Sequence, residues 1–271
     1  MTTVAELVES RELFINLTLR ELRGKYKRSV LGWTWSLLNP LATMVIFTIV
    51  FRFFLGVPNP RGDPSGIEVF ALFLTCGLLP WNFLNNGMSG GMGTLISNSN
   101  LIKKVYFPRE VLVASNVASW VVSFLLELAV LAVVLLCTGH IVLRWVPAVL
   151  LLVLIQTAFV LGLGLVLSVV NVYFRDVQHF IGIVLQIWFY ATPIVYPLSV
   201  VQKALKNHAA LFTLYKLNPM VRFVNAYRAC LYDLRFPAWQ DLVFVTLSSI
   251  VMLAVGVVVF ARLEPKLAEE L

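Results

Sequence analysis

Six stretches of this chain run for 16 to 27 residues with almost no charge: 37–55, 69–84, 111–136, 146–172, 180–196 and 242–260. Arg52 and Glu127 are the only Asp, Glu, Lys or Arg residues in all six. A helix needs about 20 mostly apolar residues to cross the hydrocarbon core of a bilayer. Lipid offers backbone amides no partner, so each crossing must satisfy its own hydrogen bonds. The pattern predicts an all-α integral membrane protein with six transmembrane helices. With 59% hydrophobic and 13% charged residues, against about 25% charged in soluble domains, residues 1–271 read as one membrane domain.

The segments between these stretches carry the rest of the organisation. Residues 1–33 form an N-terminal amphipathic interface segment. At 100° per residue, Val4, Leu7, Val8, Phe14, Ile15, Leu19 and Leu22 share an arc of about 140°. Glu6, Glu9, Glu12, Asn16, Arg20 and Arg23 lie opposite, Arg11 intrudes on the apolar arc, and Leu13 and Leu17 fall outside it. Such a helix fits the plane of the inner membrane face, with packing on protein as the alternative. Residues 197–237 are apolar in pieces but carry Lys203, Lys206, Lys216, Arg222 and Arg228, with Pro219 between the halves. Neither half can span, so two short interfacial or re-entrant helices are expected in this last outer loop. With the N-terminus inside, twelve of the 21 Lys and Arg lie in inner segments and nine in outer ones. Six of those nine sit in the last outer loop. The short loops set the orientation, with both termini cytoplasmic.

The net charge of +7 reads as basic loops at anionic headgroups. Nucleic acid is excluded as a partner, because the aromatics sit inside apolar runs and do not alternate with basic residues. Cys76, Cys137 and Cys230 form no C-x-x-C and read as small apolar side chains. The mixed-charge opening does not read as a cleavable secretory signal.

No catalytic constellation is legible. His140, His179 and His208 fall in separate loops, and neither H-E-x-x-H nor G-x-S-x-G occurs. Asp176 and His179 share a helix spacing but are too few for a metal site. There is no G-x-x-x-x-G-K-[ST], so the chain has no P-loop for ATP, and ATP-driven work requires a partner. Glu127 near the middle of the third span reads either as a polar contact in a pathway or as a carboxyl neutralised or paired, for example with Gln156.

The most specific stretches are loops and span ends. They are Lys25-Tyr-Lys-Arg-Ser-Val-Leu-Gly-Trp-Thr-Trp-Ser-Leu-Leu-Asn-Pro-Leu41, Asn100-Leu-Ile-Lys-Lys-Val-Tyr-Phe-Pro-Arg-Glu110, Arg175-Asp176, Thr192-Pro-Ile-Val-Tyr-Pro197 and Leu217-Asn-Pro-Met220. In this order the chain resembles, over nearly its whole length, the ABC-2 type permeases that export O-antigen, teichoic acid and capsule polysaccharide. Its Val- and Ala-rich character resembles actinobacterial members that export a cell-wall galactan.

The resemblance implies a homodimer in the inner membrane, served by two copies of a separate ATPase subunit that holds the ATP and Mg; this chain has no cofactor of its own. The implied cargo is a lipid-pyrophosphate-linked glycan moved outward, with a drug or lipid cargo as the alternative. The resemblance also makes 98–108 the ATPase-docking loop and 197–237 the outer gate region. Arg175, Asp176, Pro193, Pro197 and Pro219 fall on its motifs as gate residues.

The residues agree with these roles. Leu101, Lys103, Lys104, Tyr106, Phe107, Pro108 and Arg109 combine charge, aromatic anchors and a helix stop, which suits docking on a soluble partner. Arg20, Arg23, Lys25, Lys27 and Arg28 fit either a pyrophosphate headgroup or plain positive-inside anchoring. Trp33 and Trp35 fit an interfacial belt. Spans one and five border the conduit in the resembling family. Phe47, Phe51, Trp188 and Tyr190 are therefore candidates to line it, with packing between helices as the alternative.

Overall fold

A computed structural model describes residues 11–25, 34–54, 56, 60–105 and 107–267. Eleven α-helices follow one another among these residues, with no strand. They are α1 (Arg11–Lys25), α2 (Trp35–Thr48), α3 (Phe70–Ser97), α4 (Ser99–Lys104), α5 (Glu110–Cys137), α6 (Val146–Tyr173), α7 (Val177–Tyr190), α8 (Leu198–Ala204), α9 (Ala209–Lys216), α10 (Pro219–Leu231) and α11 (Trp239–Leu263). A wider π-turn, Ile49–Phe54, continues α2.

Three helical segments are long and apolar enough to cross a bilayer: Glu110–Cys137, Leu143–Tyr173 and Trp239–Leu263. Leu41–Phe54 and Val177–Tyr190 are shorter apolar helices. Leu154, Ile183, Ile187, Leu247, Ile250 and Val251 are all exposed. Apolar surface of this extent needs lipid over it.

The helix expected over 69–84 runs on to Ser97, through the glycine-rich stretch. Glycine weakens a soluble helix, but in lipid small residues let helices approach closely. A Cβ on Gly91 would lie 3.2 Å from the Gly164 Cα, and one on Gly87 would lie 2.6 Å from the Val160 side chain. Gly90 faces Asn116 and Trp120 of α5 in the same way. Three glycines thus seat α3 between α5 and α6. The α6–α11 contact repeats the device, because a Cβ on Gly162 would meet the Met252 carbonyl at 2.5 Å. Pro80 leaves α3 continuous, and the buried Gln156 amide donates to its carbonyl at 2.7 Å. Gln156 therefore serves the α3 backbone and is not the partner considered for Glu127.

The 197–237 region holds three helices where two were expected. α8 and α9 bury no residue, whereas α10 buries ten of its 13 and packs against α3, α6 and α11. The sequence disguised the burial of α10, because Arg222 and Arg228 made it look like a short interfacial or re-entrant helix. Arg222 pairs with Asp241 of α11, and Arg228 is consumed inside the bundle.

Candidate functional site

The two ends of the bundle carry the chemistry. At one end α1, α4, the α4–α5 turn and the end of α11 converge. Leu17 of α1 is buried there with Leu95, Ile102, Val111 and Phe260, and Leu22 of α1 is buried as well. Leu17 fell outside the apolar arc read from sequence, yet it turns inward as Leu22 on the arc does, while Ile15 and Leu19 on that arc are exposed. The helix therefore offers one face to protein and leaves the other uncovered. Its expected start, from Val4, lies outside the described residues.

Arg20 donates to Asn98 Oδ1 at 2.6 Å, where α3 gives way to α4. Arg109 Nη1 donates to the Glu264 carbonyl at 2.8 Å, tying the α4–α5 turn to the end of α11. Burial and the Glu110 carboxylate hold the Glu264 carboxyl above its ordinary range, against the pull of Arg109. Of the docking candidates, Lys103 and Lys104 are exposed and Leu101, Phe107, Pro108 and Arg109 are half-buried. Lys103, Lys104, Phe107 and Arg109 help to line a hollow of about 250 Å³. Tyr106 lies outside the described residues.

The basic cluster does not converge on one point. Arg23 is exposed, Arg20 is engaged by Asn98 and Glu21, and Lys27 and Arg28 lie outside the described residues. Lys25 turns into the bundle. Its Nζ donates to the Ser119 carbonyl at 3.0 Å and Ser123 Oγ at 3.1 Å, and lies 3.4 Å from the centre of the Trp120 ring. Burial pulls its ammonium down to about 7, against Glu127 and Glu21. Glu127, further along α5, borders an apolar cavity of about 220 Å³ with Leu41, Met44, Thr75 and Val134.

At the opposite end, Pro193 and Pro197 follow the end of α7, and the freed carbonyls find partners one by one. Thr192 serves Trp188 through its hydroxyl and Phe189 through its amide. The Tyr196 hydroxyl donates to the Tyr190 carbonyl and Asn218 Nδ2 to that of Ala191, at 3.2 Å. The Ile194 amide serves Thr192, and the Arg228 guanidinium takes the carbonyls of Pro193 and Ile194. Seven consecutive carbonyls are thereby satisfied without helix, as non-helical backbone inside a membrane protein requires. Asn218 also caps α10 by accepting from the Met220 amide, and accepts from the Trp188 indole at 2.8 Å. The Thr192–Pro197 and Leu217–Met220 motifs, 20 residues or more apart in sequence, are thus one structure.

The proposed channel aromatics join a continuous run. Phe47 stacks on Phe51 at 5.8 Å, Phe51 on Phe70 at 6.3 Å, and the run continues through Phe73 to Tyr232. Trp81 connects Trp188 and Phe189, and Phe189 reaches Phe47. Phe47, Phe51 and Trp188 pack between helices of the chain itself, while Tyr190 is 63% exposed. The gate candidates separate. Arg175 and Asp176 precede α7 and are exposed. Pro193, Pro197 and Pro219 lie beyond its other end, about 20 Å away at 1.5 Å per residue.

Compared with known proteins, residues 12–232 match the model of the ABC-2 type transporter family. The chain belongs to that family. It is 34% identical to the O-antigen export system permease protein RfbA of Myxococcus xanthus, over 99% of this chain and 98% of that one. It is 28% identical to the protein of the same name from Klebsiella pneumoniae, over 95% and 94%. It is 25% identical to the capsule polysaccharide export inner-membrane protein CtrC of Neisseria meningitidis, over 91% and 89%. The family match takes in residues at both ends of the bundle, from α1 to Tyr232. Sequence reading missed Arg228 and the double role of Asn218. The available signal for Arg228 was a lone cation inside Phe223-Val-Asn-Ala-Tyr-Arg-Ala-Cys-Leu-Tyr232, with no acid beside it.

Proposed function

We propose that this chain is the membrane subunit of an ATP-driven exporter that carries a lipid-pyrophosphate-linked polysaccharide from the cytoplasmic to the outer side of the inner membrane. One observation carries the reading: similarity over nine tenths or more of the chain to permeases of O-antigen and capsule export. That similarity favours a glycan over a drug or lipid cargo. A galactan is one specific form of the proposal. Six spans with both termini cytoplasmic fit the helix order, with α2, α3, α5, α6, α7 and α11 as the crossings.

A sequence without a P-loop needs a partner for energy, so the ATPase is a separate subunit that binds ATP and Mg. The α1 end is its docking face. The exposed Lys103 and Lys104 beside the half-buried Phe107 and Pro108 offer a charged rim around an apolar anchor, the pattern that suits a protein interface. The chain works as a homodimer. Phe180, Ile183, Ile187 and Tyr190 form one uncovered face of α7, and Val45 and Ile46 of α2 and Ile49 of its π-turn add exposed apolar surface. Tyr190 gives that face a flat ring on which a sugar can slide. Among the described members of the basic cluster, Arg23 is the exposed cation open to a pyrophosphate headgroup, because Arg20 is engaged by Asn98 and Glu21 and Lys25 by α5.

The test is reconstitution. The chain and its ATPase should co-purify, and together should move lipid-linked glycan into vesicles only with ATP. Phe107→Ala should lower the glycan moved per ATP. Failure of the chain to bind any ATPase, or unchanged coupling in the variant, would sink the respective claim.

A further inference from the structure

Arg228 is 6% exposed and forms no ion pair with any described residue. Its guanidinium donates to the carbonyls of Pro193 and Ile194, lies 3.4 Å through Nε from that of Phe73, and covers the Phe73 ring at 3.7 Å. Asp233 acts on it only from beyond ion-pair distance; a buried charge with no carboxylate in contact is costly, and an apolar residue of similar volume would fill the space at lower cost. What an apolar residue cannot do is hold two carbonyls that prolines have removed from helix geometry. A planar fork with several donors suits that task. The room for it comes from α3: a Cβ on Gly77 would lie 2.8 Å from Arg228 Nη2. Gly77 is therefore a socket for the guanidinium.

The consequence concerns α7. Among the described residues α7 packs on the bundle mainly through α3 and α6, with Phe189 also reaching Phe47 of α2, and its Phe180–Tyr190 face is uncovered. Its far end is fixed through the Thr192–Pro197 turn, which Arg228 pins to α3 and Asn218 to α10. We propose that Arg228, seated in the Gly77 socket, is the positioning residue that sets where the exposed face of α7 stands during export. The turn, α10 and the adjoining end of α3 then move as one block, and Pro193 and Pro197 are not free hinges. Movement at this end belongs to α8 and α9, which bury nothing. This rests on the export reading above, and its test has a readout that does not.

In the full-length chain, Cys137 is replaced by Ser, since Cys76 and Cys230 are buried. Spin labels are placed at Val69→Cys beside α3 and Ile187→Cys on the uncovered face of α7, and the distance between them is measured by pulsed EPR in liposomes, with labelled chain diluted in unlabelled chain. The parent should give one narrow distance. Arg228→Met should broaden or shift it, and Gly77→Ala should do the same although the arginine is still present. Arg228→Lys, a single ammonium with no fork, should fall between. Circular dichroism and elution should match the parent for Gly77→Ala, which also decides the matter alone if Arg228→Met fails to fold. Leak of trapped carboxyfluorescein should rise about tenfold in both variants, the equilibrium equivalent of one lost charge-assisted hydrogen bond. An unchanged distance and leak in Gly77→Ala would overturn the proposal, because a methyl group 2.8 Å from Nη2 obliges the guanidinium to shift. A broadened distance in a chain that exports no glycan with any ATPase would leave the pin standing and remove the export reading.

Discussion

At the residue scale the molecule relies on polar side chains that serve backbone carbonyls. Gln156 serves Pro80, Asn171 serves Met92 at 3.2 Å, and Asn218 joins three segments. Each is an amide where a purely apolar core would leave acceptors unpaired or helices free to slide. Asn218 makes the sharpest comparison. Trp188→Phe removes one donor and leaves the α10 cap intact, so it should cost about 1 kcal/mol. Asn218→Ala removes the cap and the bonds to Trp188, Ala191 and Thr192 together, and should cost about 2 kcal/mol or more. Unfolding midpoints in detergent separate the two. Equal losses would mean that the indole bond is the only one that matters.

At the element scale, glycine has opposite values at different positions. Gly162 lies where α6 and α11 touch backbone to backbone, and a methyl group there has nowhere to go. Gly162→Ala should destabilise the chain by about 1–3 kcal/mol, the usual cost of overpacking. Gly182 sits inside α7 with nothing within 4 Å of its Cβ position. Gly182→Ala should be neutral or stabilising by up to about 1 kcal/mol in the isolated subunit, from helix propensity alone. Thermal unfolding of the two variants side by side checks the sign of each. The same reasoning explains why the helix expected over 69–84 runs on through the glycines at 87–93. Glycine content signals a break unless the neighbouring helix is known, and that neighbour, α6, lies about 75 residues further along the chain.

At the scale of the whole molecule, the topology and the pairing of subunits are open to direct measurement. With both termini cytoplasmic, cysteines introduced at Asp63 and Asn207 should react with an impermeant thiol reagent on intact cells. One at Asn100 should react only after the membrane is opened; labelling at Asn100 in sealed cells would reverse the orientation. If the uncovered face of α7 meets a second copy, Ile183→Cys should cross-link to its own kind in membranes and give a dimer band that reductant removes. A chain that stays monomeric under oxidation, with Cys137 replaced, would place the partner elsewhere.

The six charge-poor runs determined an all-helical membrane chain by themselves, because hydrocarbon leaves a chain few choices and the period of lipid exposure is written locally. The order of the loop motifs carried the family for the same reason: each motif is a short, contiguous string. What only the tertiary structure decided is which partner each polar residue keeps. Lys25 looked like a cation at the inner headgroups, and Arg222 and Arg228 looked like cations of the last outer loop. One lies against Trp120, one pairs with Asp241, and one sits beneath the α7 turn, 155 residues from the Phe73 carbonyl it also approaches. Phe47 and Phe51 shared a helix face in sequence, but whether that face met a conduit or another helix depended on Phe70 and Phe189. A side chain's type and spacing are local properties, whereas its desolvation and its hydrogen-bond partners are set by segments that meet only when the bundle closes.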